Sequence, residues 1–520
     1  MIDNGMIYFA GKGDGSILTE HICLRPEMAN RHGFICGATG TGKSVTLKVL
    51  AEGFSQLGVP VFMSDVKGDM AGVAAAGEDS EGMQKRIDRF GLRETFRFEG
   101  YPVSIFDIYG KNGVPLRTTV SEMGPQLMAQ VLDLNDTQSE LLTVVYKIAD
   151  DNGLILTDTK DLKAMLQYSA DHADEYKTDY GNIAKQSIST IIRAIVALEA
   201  EGADQFFGEP AIDINDFFTV AADGRGVVNI LDSATLINQP RLYSAFMLYL
   251  LSELFEVLPE VGDPDKPKIV FFFDEAHLLF NNASKSLLAK IEQVVKLIRS
   301  KGVSIFFVTQ SPGDIPGSVM SQLGNKIEHA LHAYTPAERK ILKAAADAFR
   351  INPAFDTEEA IQNLGTGEAV VSVLDEKGAP GVAEIAYILP PESRMGVLTD
   401  GERASVIGTS PYNVKYGTMV DNISAYEVIN RTNSSQGTAN DAASEAAQGK
   451  TTDAVGIAEE LLGKTSVKRV ARTTGGTVGR EIGKALGEAV LGKKGRTLGG
   501  NIGAELGRSI MGTLLKQKGN

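Results

Sequence analysis

Cysteine is almost missing from this chain, with only Cys23 and Cys36 among 520 residues, and the six histidines are scattered without metal-ligand spacing. A disulfide-stapled secreted fold and a zinc module are therefore excluded. No stretch reaches the roughly 18 uninterrupted apolar residues that a membrane span needs. Residues 1–15 lack a basic region followed by an apolar one, so nothing there directs export. A reducing cytoplasm is the expected location, and Cys36 reads as a small core residue rather than a redox sensor. Positive charge is also in deficit. The net charge is −15, yet residues 464–520 carry 12 Lys/Arg against 3 Asp/Glu, a local +9 that leaves −24 on the rest. So acidic a body does not coat nucleic acid non-specifically, although a focused basic channel inside an oligomer remains open.

What is present is chemically specific. Phe34-Ile35-Cys36 is a short apolar strand, followed by Gly37-Ala38-Thr39-Gly40-Thr41-Gly42-Lys43-Ser44 and a helical run from Val45 to Leu57. This G-x-x-x-x-G-K-[ST] pattern is a phosphate loop. Its glycines let backbone N–H groups wrap phosphates, Lys43 reaches the β and γ phosphates, Ser44 ligates Mg²⁺, and the helix N-terminus contributes its dipole. The expected ligand is a nucleoside triphosphate with magnesium, held by residues 37–45. Downstream, Lys268 to Phe273 reads as a buried strand that delivers Asp274 and Glu275. Asp274 is placed to hold the Mg²⁺ hydration shell and Glu275 to polarise the attacking water. The paired carboxylates favour ATP over GTP.

Past Glu275, Leu288, Ile291, Val294, Val295 and Ile298 mark a helix that runs back across the sheet to Arg299. At 1.5 Å per residue this carries Arg299 roughly 25 Å from its own phosphate loop. Arg299 then either complements a helix C-terminus or enters a neighbouring subunit's site as an arginine finger. The strand from Ser304 to Thr309 returns to the catalytic edge and places Gln310 to sense the γ-phosphate or the water, unless it is only a polar strand end. Asp65, closing the strand Val59 to Asp65, either tunes water or magnesium or caps its loop.

Strand-like runs at Val59–Asp65, Tyr101–Ile108, Gly226–Leu231, Lys268–Phe273 and Ser304–Thr309 alternate with helical stretches. That predicts an α/β fold with a mostly parallel sheet. Strands vanish over residues 115–225, which read as a helical insertion whose first start signal is the capping box Thr137-Gln138-Ser139-Glu140. Glu368–Leu374 and Gly381–Leu389 predict an antiparallel edge hairpin. The remaining expectations are a short N-terminal segment over 1–30, an ATPase core over 31–400, a flexible linker over 401–463, and a basic helical tail over 464–520 with glycine at every fourth residue. The tail packs on its own fold, joins subunits, or touches a membrane surface.

In order, Gly37–Ser44, Ser64-Asp-Val-Lys-Gly-Asp69, Phe271-Phe-Phe-Asp-Glu-Ala-His277, the Arg299–Gly302 segment before Thr309-Gln310, and Gly367-Glu-Ala-Val-Val371 resemble the HerA/FtsK superfamily of hexameric ATP-driven motors. The closest likeness is to the YjgR-type HerA-like ATPases, over residues 31 to about 390. The resemblance implies a RecA-like core, ATP hydrolysis between subunits of a ring, Arg299 as the residue acting in trans, and a pore through which double-stranded DNA moves. HerA-like repair motors carry an N-terminal β-barrel, for which the 30 residues ahead of the phosphate strand leave no room. Docking to a nuclease through such a barrel is not expected here, and DNA translocation is implied by analogy alone. The rival readings are an ATPase acting on a protein or membrane-bound partner recruited by the tail, and a nucleotide-dependent assembly switch. No helix-turn-helix, zinc finger or aromatic-basic module decides between them.

Overall fold

A computed structural model describes residues 1–13, 17–280 and 285–430. The chain divides into two compact units, one made of Met1–Asn135 with Arg193–Asp421 and the other of Asp136–Ile192 with the segment from Asn422 onward.

The first unit is built on one sheet of 13 strands. They are β1 (Ile2–Asp3), β2 (Met6–Lys12), β3 (Glu20–Leu24), β4 (Gly33–Cys36), β5 (Val61–Asp65), β6 (Val103–Asp107), β7 (Val114–Pro115), β8 (Val228–Asp232), β9 (Ile269–Phe273), β10 (Val303–Thr309), β11 (Asn325–Glu328), β12 (Glu368–Ser372) and β13 (Glu384–Ile388). The spatial order is β1-β2-β13-β12-β11-β4-β10-β9-β5-β8-β6-β7, with β3 on β2. From β11 to β7 every pairing is parallel. The expected α/β fold with a mostly parallel sheet is what forms. β5, β9 and β10 are buried along their whole length, which is why they read as unbroken apolar runs and not as alternating ones.

Register turns this topology into a site. Thr309 pairs with Cys36, Phe307 with Phe273, and Met63 with Phe272. Parallel strands in this alignment deliver the phosphate loop, Asp274-Glu275, Gln310 and the loop after Asp65 to one edge, where α/β sheets bind ligands. β10 lies between the phosphate-loop strand β4 and the acidic strand β9.

Three expectations need correction. The late hairpin is antiparallel but not at an edge: β12 pairs with β11 and β13 with β2. The N-terminal segment supplies that neighbour, with Ile7, Phe9 and Ala10 fully buried, so Ile2–Asp3, Met6–Lys12 and Glu20–Leu24 are strands of the sheet. The helix expected to start at the Thr137 capping box starts at Asp136, which puts Thr137 inside the first turn. Finally, the segment read as linker from 401 begins as two helices, Asp400–Thr409 and Pro411–Tyr416. Thr399 and Glu402 form a capping box at the first, Ser410 caps the second ahead of Pro411, and Arg403 pairs with Asp232 at 2.9 Å. Short polar helices of this kind are held by caps and ion pairs, so the scarcity of large apolar residues hid them. The tail over 464–520, and the linker beyond residue 430, lie outside the described residues.

The second unit is helical, with Asp136–Asp151, Thr159–Asp171 and Ala173–Tyr180. Asp161, fully buried, ties it to the returning chain by accepting from Ser424 Oγ at 2.6 Å and from the Tyr426 N–H at 2.8 Å. Among the described residues no helix is long and apolar enough to cross a membrane.

Candidate nucleotide site

The phosphate loop spans the end of β4 and the start of the helix Lys43–Gln56. Gly37 has φ 151°, and a Cβ on it would sit 2.4 Å from His329 Cβ; Gly42 has φ 120°, with Gly367 Cα 3.2 Å from where its Cβ would lie. Both positions exclude a side chain. His329, fully buried, supports the loop from below: it hydrogen-bonds Thr46 Oγ1 through Nε2 at 2.8 Å and the Glu368 carbonyl through Nδ1 at 2.8 Å. Burial pushes its imidazole down to about 4, so the buttress is neutral at physiological pH. The helix itself is anchored by buried Glu52, which accepts from the N–H groups of Glu392 at 2.9 Å and Ser393 at 3.1 Å. Lys43 Nζ rests on the carbonyls of Gly37 and Ala38, the latter at 3.0 Å. An ammonium held on loop carbonyls is charged, local and ready to transfer to phosphate oxygens.

At the end of β9, Asp274 and Glu275 are 6% and 4% exposed. Burial, and then its neighbour Glu275, raise Asp274 to about 6. Glu275 has φ 50°, rare for a non-glycine residue, and such strain is tolerated where it aims a side chain. Three groups hold its carboxylate: Lys67 Nζ at 2.9 Å, Gln310 Nε2 at 3.1 and 3.2 Å, and the His277 imidazole at 3.4 Å. Burial alone would raise Glu275, but Lys67, Gln310 and His277 together outweigh it and keep the carboxyl below the usual glutamate value. Gln310 Oε1 in turn accepts from Thr39 Oγ1 at 3.4 Å. The tip of the phosphate loop is thereby wired through one amide to the carboxylate that would activate water.

Asp65 is a loop cap in this arrangement. Its two oxygens accept from the Gly68 N–H at 2.7 Å and the Ala71 N–H at 3.1 Å, and burial followed by Asp69 raises it to about 7. The loop it shapes presents Lys67. Arg299 lies at the opposite sheet edge, in the turn Ile298–Lys301 just before β10, where it pairs with Asp263 at 2.7 Å. The seven residues of β10, at about 3.3 Å each, put roughly 20 Å between it and Gln310.

The family described as Helicase HerA-like C-terminal matches residues 14–519. The chain belongs to this family. It is similar to the DNA double-strand break repair helicase HerA of Sulfolobus acidocaldarius, 20% identical over 367 residues that cover 69% of this chain and 66% of that protein. The protein of the same description from Saccharolobus solfataricus is 23% identical over 374 residues, covering 69% of this chain and 65% of that one. The chain thus spans just under two thirds of the length of these curated relatives. Among solved structures, plasmid coupling protein TrwB in complex with ADP and Mg²⁺ aligns over 75% of this chain and 93% of its own, at 15% identity and a TM-score of 0.46. VirB4 of Thermoanaerobacter pseudethanolicus aligns over 77% and 99%, at 17% identity and a TM-score of 0.45.

Sequence reasoning missed four residues gathered at this candidate site: Lys67, His277, Glu328 and His329. Lys67 and His277 stood inside quoted motifs, two residues beyond Asp65 and two beyond Glu275, and a charged residue that close to a catalytic strand end was the available signal. Glu328 ends β11 beside Cys36; fully buried, it is raised to about 8 by that burial. Nothing in a four-residue strand flagged it or His329 as lying behind the phosphate loop.

Proposed function

We propose that this chain is a magnesium-dependent ATPase that works as a ring of identical subunits and moves double-stranded DNA. The observation that carries the ATPase reading is the Thr39–Gln310–Glu275 connection, because it joins a phosphate-binding loop to a water-activating carboxylate through a residue that can report whether a γ-phosphate is present. The loop fits the nucleotide, since Gly37, Gly40 and Gly42 all hold the positive φ, 151°, 80° and 120°, with which a glycine-rich backbone wraps phosphates. Magnesium would be held by the Ser44 hydroxyl and, through its hydration waters, by Asp274, and would neutralise charge on the β and γ phosphates. Lys43 leaves the loop carbonyls for the β and γ phosphates. Glu275 accepts the proton of the attacking water as the bond between the β–γ bridging oxygen and the γ-phosphorus breaks, releasing ADP and phosphate. Arg299 cannot reach its own site and supplies the positive charge to a neighbour's.

The DNA reading is supported by family membership and by the names of the two curated relatives. A body of −24 outside residues 464–520 requires that duplex phosphates meet a pore formed only on assembly. We place the protein in the cytoplasm, in keeping with its two free thiols. The test is duplex binding by assembled, ATP-bound Glu275→Gln protein at low and moderate salt. Binding is expected to need the oligomer, to show little base preference, and to weaken with a log–log salt slope of about −0.9 per phosphate neutralised. No binding at either salt would reject DNA and favour a protein or membrane partner, with the ATPase assignment intact.

A further inference from the structure

Lys67 is the one lysine in contact with the Glu275 carboxylate among the described residues, and it belongs to neither the phosphate loop nor the acidic strand. It sits on the turn after β5, fixed from behind by the two backbone hydrogen bonds to Asp65. Its side chain is 43% exposed although its partner is 5% exposed. The ammonium therefore stands at the mouth of the site and the carboxylate at its floor. The carboxylate it holds is joined through Gln310 to Thr39 at the tip of the phosphate loop. An ammonium 2.9 Å from the carboxylate that would face the attacking water is placed to meet the terminal phosphate itself.

We propose that Lys67 is a positioning residue with two alternating anionic partners: the Glu275 carboxylate when the site lacks a triphosphate, and the γ-phosphate when a triphosphate is bound. The inference rests on the ATPase reading and deepens it. While Lys67 and Gln310 hold Glu275, its oxygens are engaged and unable to orient water. A γ-phosphate draws Lys67 away, the carboxylate is freed on one side, and Gln310, already joined to Thr39, remains to set its direction. A diphosphate has no γ-phosphate to offer, so the guarded arrangement persists. The site thus distinguishes ATP from ADP before chemistry, through competition between two anions for one cation.

The competition gives a thermodynamic cycle measurable at equilibrium with ADP and an imido-bridged, non-hydrolysable ATP analogue at fixed Mg²⁺. Lys67→Ala is expected to weaken the analogue about 10-fold, as for loss of one charge-assisted hydrogen bond, and to leave ADP within about 2-fold. Lys67→Arg should keep the discrimination. Glu275→Gln should bind the analogue more tightly than wild type, because the competitor has lost its charge. That gain should vanish in the Lys67→Ala/Glu275→Gln double variant. Unchanged ADP affinity in each variant certifies an intact fold. Equal effects on ADP and analogue, no effect on either, or a Glu275→Gln gain that survives without Lys67 would each overturn the proposal while leaving the nucleotide site standing. Absence of any nucleotide binding by the wild-type protein would overturn the site reading and this proposal together.

Discussion

Glu275→Gln protein is expected to bind ATP and to lose turnover by about 10²- to 10⁴-fold, the range for removal of a positioned general base. The substitution keeps the shape but turns one accepting oxygen into a donating NH2, and it removes the charge that Lys67 pairs with and the basicity that water activation needs. Gln310 can still reach the new amide oxygen, so the connection to Thr39 survives. Lys43→Ala should fail differently, by weakening nucleotide binding, because phosphate capture and water activation belong to separate residues. Turnover near wild type in Glu275→Gln, measured by phosphate release, would remove that residue from the mechanism.

Arg299→Ala is expected to cost on the order of 10³-fold or more in turnover if the residue acts as a finger between subunits. Its present ion pair does not stand in the way. Arg299 and Asp263 are 36% and 61% exposed, and a pair that open contributes about 0 to 1 kcal/mol, so exchanging Asp263 for a neighbour's γ-phosphate is easy. The across-subunit claim has its own test. Mixing Arg299→Ala protein with Lys43→Ala protein should restore part of the activity, since a mixed ring contains interfaces where an intact phosphate loop faces an intact arginine. Unchanged activity in Arg299→Ala, or full hydrolysis by a monomer, would leave Arg299 as the complement of a helix end.

The parts of this site legible in the sequence were those where chemistry is written in contiguous residues. Gly37 to Ser44 carries the loop, its strand and its helix in one stretch, and Asp274-Glu275 follows five buried residues of β9. Gln310 was legible because strand direction alone puts the end of β10 beside the end of β9. Lys67 was not, because its meaning is a 2.9 Å contact with a residue 208 positions away. His329 behaves in the same way: its role depends on β11 lying beside β4 and on the space that two glycines leave above it. The edge assigned to the late hairpin failed for a related reason, since which strand closes a sheet depends on where Met6–Lys12 goes, and that strand precedes β13 by more than 370 residues. The helices after Thr399 were the avoidable miss. Thr399-x-x-Glu402 is the same kind of capping box that was read at Thr137, and here it does start a helix.

ATP hydrolysis in an assembled ring is proposed to be coupled to duplex DNA. Steady-state ATP turnover, measured with and without duplex DNA at constant ionic strength on protein of measured oligomeric state, tests it most directly. The expected result is an oligomer whose turnover rises with added duplex, saturates, and is lost in Glu275→Gln. An oligomer that hydrolyses ATP at the same rate with and without duplex would contradict it.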